Sequence, residues 1–510
     1  HGWGGKHGDI TDALFLQKYE FSKAEASQII AQNLGQLAAK VITHPEKGRP
    51  LVVFNSMNAQ RNNPVSIEVS FNPAEAFGLE LQDAKGQKIG TQLSNPGHFS
   101  DGSIKRATLN FIAEQVPAIG FKTYYLKATD KRPTDARVSF ENEAENQFYK
   151  LKFSDGGLSS IFDKTLNQEL IDPAKFKAGE VFTMHSFGNG AGEFIDIQKP
   201  DMDGFDKTGN YPTKWEIEEN GPVYTVYKFR QHIRYADIEL RVKVYNQLKR
   251  IDFEPSVLNW EGVLYREFRM AIPLNMNDGQ VAYEVPFGVV EVGKDELKGA
   301  AGERYTTICK EMHPRGIENW IGASNQNFGV TMSSSVAVAD WIDPTSNPMK
   351  NQMLQPILLA SRKSCHWEGN DYLQTGDHTF RFSFTSHPSG WINGNLSGRE
   401  ANEQLLPVWA DHQLTTASLP ESLSFFSTDQ DKVLISTIKK SEDGDAVIIR
   451  LVDLEGKDKN LKLNCFRNIT AAAQTNLIEN PEKNLPADGN ILPFELGHHA
   501  IETFRIETLK

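Results

Sequence analysis

The spacing of apolar residues changes character once along this chain. In "FSKAEASQIIAQNLGQLAAKVIT", Ile30, Leu34, Leu37 and Val41 recur at steps of four, three and four, which places them on one face of an α-helix. Ser22 followed by Glu25 fits an S-x-x-E capping box, in which each side chain satisfies the other's free backbone N–H, and predicts a helix start there. Such a stripe needs a partner. "DALFLQKYEF" offers a fragment of one, and no second full-length helix follows. From "THPEKGRP" onward the period shortens to two. "LVVFNS", "SIEVSF" and "FKTYYLKA" are β-rich runs set off by Asn, Gly and Pro. The cleanest strand is "ADIELRVKV", where Ile238, Leu240, Val242 and Val244 alternate with Glu239, Arg241 and Lys243; "TFRFSFT" repeats the pattern with Phe380, Phe382 and Phe384. Alternation of this kind means one buried and one wet face, as in antiparallel sandwiches.

Residues 46–510 show no long helical stripe, no βαβ rhythm and no repeat of fixed period. The predicted fold is therefore mainly β, a set of antiparallel β-sandwich domains preceded by a short helical segment. The polar stretch "TDKRPTDARVS" reads as a linker, and a further boundary falls near "LLPVWADHQ". The resulting division is 1–45 helical, 46–130 a small sandwich, 140–405 a large one and 406–510 a C-terminal sandwich.

At 510 residues the chain can build several domains, each with its own core. A formal net charge of −12 argues against nucleic acid or an anionic membrane surface, both of which call for clustered Lys and Arg. No run approaches the roughly 18–20 apolar residues that span a bilayer. Cys309, Cys365 and Cys465 lie far apart and form neither a CxxC pair nor a disulfide framework.

Self-contained catalytic signatures are missing: no GxSxG elbow, P-loop, HExxH or GxGxxG opening a helix. His366 in "SCHWEGND" has Trp367 and Glu368 beside it, a set able to line a pocket that reads more simply as an ordinary surface loop. His313 sits before a proline in a turn. His378 adjoins Asp377, but neighbours on a strand face opposite ways and are not expected to act together. Glycoside hydrolysis needs two carboxyls about 5 Å apart for retention, or further apart for inversion, and spacing alone selects no pair among 66 acids. The opening "HGWGGKHGD" reads either as a mobile glycine-rich terminus or as a source of metal donors, from His1 with His7 or His7 with Asp9. A closed zinc site takes four ligands and a catalytic one about three plus water. This segment cannot supply them by itself, so any metal would be shared with residues outside the chain.

Taken in order, several stretches resemble the C-terminal portion of glycoside hydrolase family 38, the α-mannosidases. "LVVFNSMNAQRNNPVSIEV", "YKLKFSDGGLSSIFDKTLNQELI", "VAYEVPFGVVE", "FGVTMSSS", "TGDHTFRFSFTSH" and "VLISTIKKSEDGDAVIIRLVDLEG" are each similar to a family segment in the corresponding place, as are "TNLIENPEKNL" and the closing "IETFRI". The resemblance implies β-supersandwich (galactose mutarotase-like) domains. It also implies that "HGWGG" is similar to an "E-H-T-W-G" segment whose histidine is a zinc ligand, so that His1 becomes the metal ligand and Trp3 lies near the sugar. Other branches place the ligand in "H-H-D" or "F-H-D", which "KHGD" echoes, making His7 the second choice. Gly2 stands where threonine is commoner, and the acid that follows the ligand in those branches has no counterpart there.

By the same resemblance, the "H-x-D" metal pair and an aspartate nucleophile belong to an upstream catalytic domain of the same polypeptide. The expected function is that of the β-domain part of a zinc-dependent retaining α-mannosidase acting on mannose-containing glycans, inactive without that domain. In some branches of the family an arginine reaches the site from the β region, and Arg266, Arg269 and Arg362 all fit it loosely. The alternative is a non-catalytic carbohydrate-binding or structural sandwich. The sequons at Asn395 and Asn468 do not by themselves fix a compartment.

Overall fold

The computed structural model describes residues 8–132, 138–187, 199–296, 314–363, 371–430 and 432–509. They separate into two compact units, one of His1–Ala26 with Ala136–Asn402 and the other of Ser27–Asp135 with Glu403–Lys510. Among the described residues every strand pairing inside a sheet is antiparallel, as the alternating texture of the sequence predicts.

The first unit is built on two large sheets. One has ten strands and carries Tyr224–Ile233, Ala236–Tyr245, Ile251–Trp260, Phe382–His387, Gly329–Ser334 and Trp320–Ser324 side by side. Ala236–Tyr245 alternates as expected: Ile238, Leu240 and Val242 are fully buried while Glu239, Arg241 and Lys243 lie on the wetter face. The second sheet has six strands, with Lys199–Lys207, Glu180–Phe187, Arg266–Pro273 and Met353–Ala360 adjacent in that order. Ile238, Leu240 and Val242 of the first sheet share one core with Phe268, Met270 and Ile272 of the second. The six-stranded sheet is covered on its other face too, where Phe176, Phe182, Met184, Ala271 and Met353 form a separate cluster. All eight residues of Arg266–Pro273 are consequently buried.

Phe382 and Phe384 are fully buried, and Phe380 packs partly against the same core. In the hairpin Tyr149–Ser154/Gly157–Asp163, the "GLSSIFDK" acid Asp163 is a structural hub. Its carboxylate accepts from the Ser386 hydroxyl (2.5 Å), the Thr165 hydroxyl (2.7 Å) and the Leu166 N–H (2.9 Å), with Lys249 Nζ at 2.7 Å.

The second unit holds a six-stranded sheet, in which Arg49–Asn55 lies between Leu406–Trp409 and Gly120–Thr129, and a three-stranded sheet around Ile104–Val116. Their core includes Val53, Leu81, Leu109, Phe111 and Tyr124. A further pair, of three and five strands, encloses Ile449, Leu451, Leu463, Leu492 and Phe504. The buried Cys465 also lies there as a free thiol.

Two local readings of the sequence are corrected. Helix α1 runs Asp9–Ala38, so "DALFLQKYEF" is its first half and not a fragment of a second helix. Ser22 sits mid-helix with its hydroxyl bonded back to the Lys18 carbonyl (2.9 Å), where it cannot cap an N-terminus. The expected stripe is only half used: Leu34 and Leu37 pack in a cluster with Val41, while Ile30 is 46% exposed. The second helix, α2 (Ile392–Glu400), has no helical signal in its sequence, "INGNLSGRE". Its glycines supply clearance instead. A side chain at Gly394 would collide with Thr331 and His387, and one at Gly398 with the Trp320 ring. The sequon residue Asn395 is 6% exposed, its amide oxygen accepting from the Trp320 indole at 3.0 Å. No described helix is long and apolar enough to cross a membrane.

Candidate functional site

A set of aromatic and charged side chains gathers at one end of the first unit's six-stranded sheet. Arg266–Pro273 runs antiparallel to both neighbours, with His185 opposite Arg266 and Ala360 opposite Glu267. Its beginning therefore lies beside the ends of Glu180–Phe187 and Met353–Ala360. Asp201, on the outer strand, faces His185 in the register. Just past Ala360 the short hairpin Arg362–Lys363/Asp371–Tyr372 begins.

Two bulky residues here adopt left-handed backbone, Tyr265 at φ 58° and Tyr235 at φ 74°. Such conformations cost on the order of 1–3 kcal/mol and persist where surrounding structure imposes them. His185 Nδ1 lies 2.7 Å from Asp201 Oδ2, and its ring meets that of Tyr265 edge-on at 6.1 Å. Burial works to raise the Asp201 carboxyl. The hydrogen bonds from His185 and from the Asp203 N–H outweigh it, and the group sits below the usual carboxylate range.

The three candidate arginines have different fates. Arg269 is 1% exposed and locked against Glu267, with Asp340 at 2.9 Å and Gln355 at 3.1 Å, so it reaches nothing outside the core. Arg266 is 3% exposed. It lies over the Tyr235 ring at 5.0 Å and donates to the carbonyls of Asp203 (3.1 Å) and Gly204 (3.2 Å). Burial lowers its pKa, and its Nε has no partner. Arg362 is half-buried, opposite Tyr372 in the hairpin, with no carboxylate within salt-bridge distance among the described residues. The Tyr372 hydroxyl is pushed up by burial and then by Asp12, through its charge and a hydrogen bond.

His1, Trp3 and His7 lie outside the described residues, as do His313, His366, Trp367, Glu368, Cys309 and Cys365. Asp9 is described, and both of its oxygens are engaged. Oδ1 accepts from the N–H of Leu373 (2.9 Å) and of Gln374 (2.8 Å), and Oδ2 lies 3.1 Å from the Leu373 nitrogen. Nothing in the sequence signals that pairing. His378 and Asp377 part company as expected: His378 Nε2 bonds the Gln374 carbonyl (2.6 Å), while Asp377 accepts from the Asn259 N–H (2.8 Å). No group of three or more His, Cys, Asp or Glu side chains among the described residues converges as a metal would require. Two of the acids at this end, Asp9 and Asp201, hold backbone N–H groups. What the described side chains offer is tyrosine rings, guanidinium groups and fixed hydrogen-bonding positions, a set suited to binding and orienting a ligand.

The profile of the glycosyl hydrolases family 38 C-terminal domain matches residues 144–336, and that of the family's C-terminal beta sandwich domain matches residues 432–504. The chain belongs to glycoside hydrolase family 38. What it carries is that family's C-terminal domain followed by its C-terminal beta sandwich domain, in the order the resemblance of its motifs predicts. It is 21% identical over 420 residues to alpha-mannosidase G of Dictyostelium discoideum, an alignment covering 80% of this chain and 35% of that protein. Two solved structures from Enterococcus faecalis share its fold, one of an alpha-mannosidase (15% identity, TM-score 0.74) and one of a family 38 protein (16%, 0.76). Each similarity covers 98% of this chain, and 61% and 63% of those chains respectively. The family 38 chain described here thus spans about a third of its curated relative and about three fifths of the solved ones.

Proposed function

We propose that this chain is the C-terminal β-domain part of a zinc-dependent retaining α-mannosidase that hydrolyses α-mannosides in glycans. The observation that carries the reading is the pair of family 38 C-terminal domain matches, in sequence order, on residues 144–336 and 432–504. In this reading an upstream catalytic domain of the same polypeptide supplies the aspartate nucleophile and most of the metal ligands. His1 completes the zinc shell, with His7 the second choice, and Trp3 stands near the sugar. Zinc, when bound, holds ring hydroxyls and favours charge development at the anomeric carbon. The division 1–45, 46–130, 140–405 and 406–510 belongs to the same proposal.

This chain's own part is to brace the catalytic domain and wall the substrate cleft. Of the three candidate arginines, Arg362 is the least enclosed, part-buried with an unpartnered buried Nε, and it is assigned the contact with substrate. A retaining glycosidase works with two carboxyls about 5–5.5 Å apart. Asp9 and Asp201 are committed to backbone N–H groups and are not offered as catalytic carboxyls.

The test compares residues 1–510 with a polypeptide extended upstream, both assayed on an aryl α-mannoside before and after chelation and with zinc restored. The extended protein is expected to hydrolyse it with retention of anomeric configuration, to lose activity on chelation, and to lose bound zinc in His1→Ala. The 1–510 chain is expected to be inert. Turnover by the 1–510 chain alone overturns the division of labour. An inert extended protein overturns the enzyme reading in favour of a carbohydrate-binding or structural sandwich.

A further inference from the structure

We infer that Ser361 is a positioning residue: its hydroxyl closes the turn at residues 263–266 and so fixes where the next residue, Arg362, leaves the six-stranded sheet. This deepens the α-mannosidase reading above and rests on it, since Arg362 is the side chain assigned there to substrate. A four-residue turn is often closed by the carbonyl of its first residue accepting directly from the N–H of its fourth. Here the Ser361 hydroxyl stands between the two. It accepts from the Arg266 N–H at 2.9 Å and donates to the Val263 carbonyl at 2.6 Å. Buried backbone groups need partners, and with Ser361 fully buried its hydroxyl serves both. The third residue of the turn, Tyr265, is held at φ 58°, where glycine is the usual choice. The bridge offsets the strain of a tyrosine at that position, and the ring stands edge-on to His185.

The same serine belongs to the strand end that leads into Arg362. Its N–H donates to the Arg266 carbonyl at 2.8 Å, so backbone and side chain of one residue grip both backbone groups of Arg266. The Ala360 carbonyl, one residue earlier, accepts from the Gln374 side-chain amide at 3.1 Å. The chain entering the turn is braced as well. The Trp260 indole donates to the Leu373 carbonyl at 2.7 Å, and a side chain at Gly262 would collide with Thr375 and Leu373. Arg362 is therefore the first residue beyond an anchored strand end, its Cα about 3.8 Å from that of Ser361. Its Nε is buried without a partner, so the guanidinium is placed by the backbone that carries it and not by an ion pair. One hydroxyl thus links the backbone of Tyr265 to the departure point of the arginine.

The experiment uses the upstream-extended polypeptide in a double-mutant cycle between Ser361 and Arg362. It reads amide hydrogen exchange at Arg266 together with kcat and KM on an aryl α-mannoside. Ser361→Ala is expected to speed exchange at that amide and to lower kcat/KM by about 10- to 100-fold, the scale of a small misplacement of binding groups. In an Arg362→Ala background the same substitution is expected to change kcat/KM by less than about three-fold, because the group it places is gone. Equal losses in the two backgrounds overturn the positioning role, since the serine would then act through the fold at large. Faster exchange with kcat/KM unchanged overturns it too, and unchanged exchange overturns the bridge itself; all three leave the α-mannosidase reading standing. If Ser361→Ala does not fold, Ser361→Cys, whose thiol donates and accepts only weakly, goes through the same cycle and is judged by the same outcomes. An extended parent without mannosidase activity overturns the functional reading, and this inference with it.

Discussion

Two strands of the first unit carry the same short pattern, a glutamate followed two residues later by an arginine. In Ala236–Tyr245 the pair is Glu239 and Arg241; in Arg266–Pro273 it is Glu267 and Arg269. Both arginines reach their own strand's glutamate, yet their surroundings are opposite. Arg241 lies 30% exposed, with Glu239 at 2.6 Å and Glu218 at 2.7 Å, on a face that water also reaches. Arg269 is 1% exposed and needs Glu267, Asp340 and Gln355 around it before its charge is tolerable. The contrast comes from sheet position, because Arg266–Pro273 has a hydrophobic cluster on each face. Identical residues in identical spacing act as solubilising surface in one strand and as an obligatory internal network in the other.

The largest expected effect follows from removing the buried arginine. Arg269→Ala leaves Glu267 and Asp340 facing each other without a counter-charge and is expected to destabilise the protein by about 3–5 kcal/mol, read by urea denaturation of the first unit's transition. A loss near 1 kcal/mol would mean that water enters the cluster and that the two strands differ less than their burial implies.

A buried polar group without a charge partner extends the comparison. His387 is 6% exposed, with Nδ1 2.8 Å from the Pro388 carbonyl and Nε2 2.9 Å from the Thr331 hydroxyl. Burial lowers its pKa, with nearby Lys249 acting in the same direction. The unfolded chain then binds a proton more readily than the folded one. Stability from this group is present above about pH 6.5, the unperturbed histidine value, and declines as pH falls towards the folded pKa. Melting temperature measured from pH 8 to pH 5 should fall more steeply for the parent than for His387→Gln; parallel profiles would remove His387 as the cause.

The smallest effect belongs to the exposed arginine. Arg241→Ala is expected to change stability by no more than about 1 kcal/mol, and raised salt should shrink the difference further. A cost approaching that of Arg269→Ala would break the comparison outright.

The same contrast explains what could be read from the sequence. Alternation marks Ala236–Tyr245 because half of its residues face water, and the wet half is written in charges. Arg266–Pro273 carries charges as well, but they point into a second covered face, and no periodicity separates the two cases. Helix α1 was legible where Leu34 and Leu37 pack, and misread at its start because a serine and a glutamate three apart occur mid-helix as readily as at a cap. Helix α2 escaped because its glycines answer to Trp320 and Thr331, remote in sequence, as well as to His387 just before the helix. The Asp9 clamp escaped for the same reason, since its partners come from the far side of the unit's sequence. The family, by contrast, was legible from motif order, because each motif is a local turn-and-strand unit.

The hydrogen bond between Trp320 and Asn395 has a consequence for production of the protein. In hosts that glycosylate Asn-X-Ser/Thr sequons, a sugar attached at Asn395 while the chain is extended would occupy the space into which the indole must close, and α2 would have no seat. Asn468 lies on the surface and imposes no such conflict. Occupancy at Asn395 would thus mark molecules bound for quality control, and material that passes it should carry at most the Asn468 glycan.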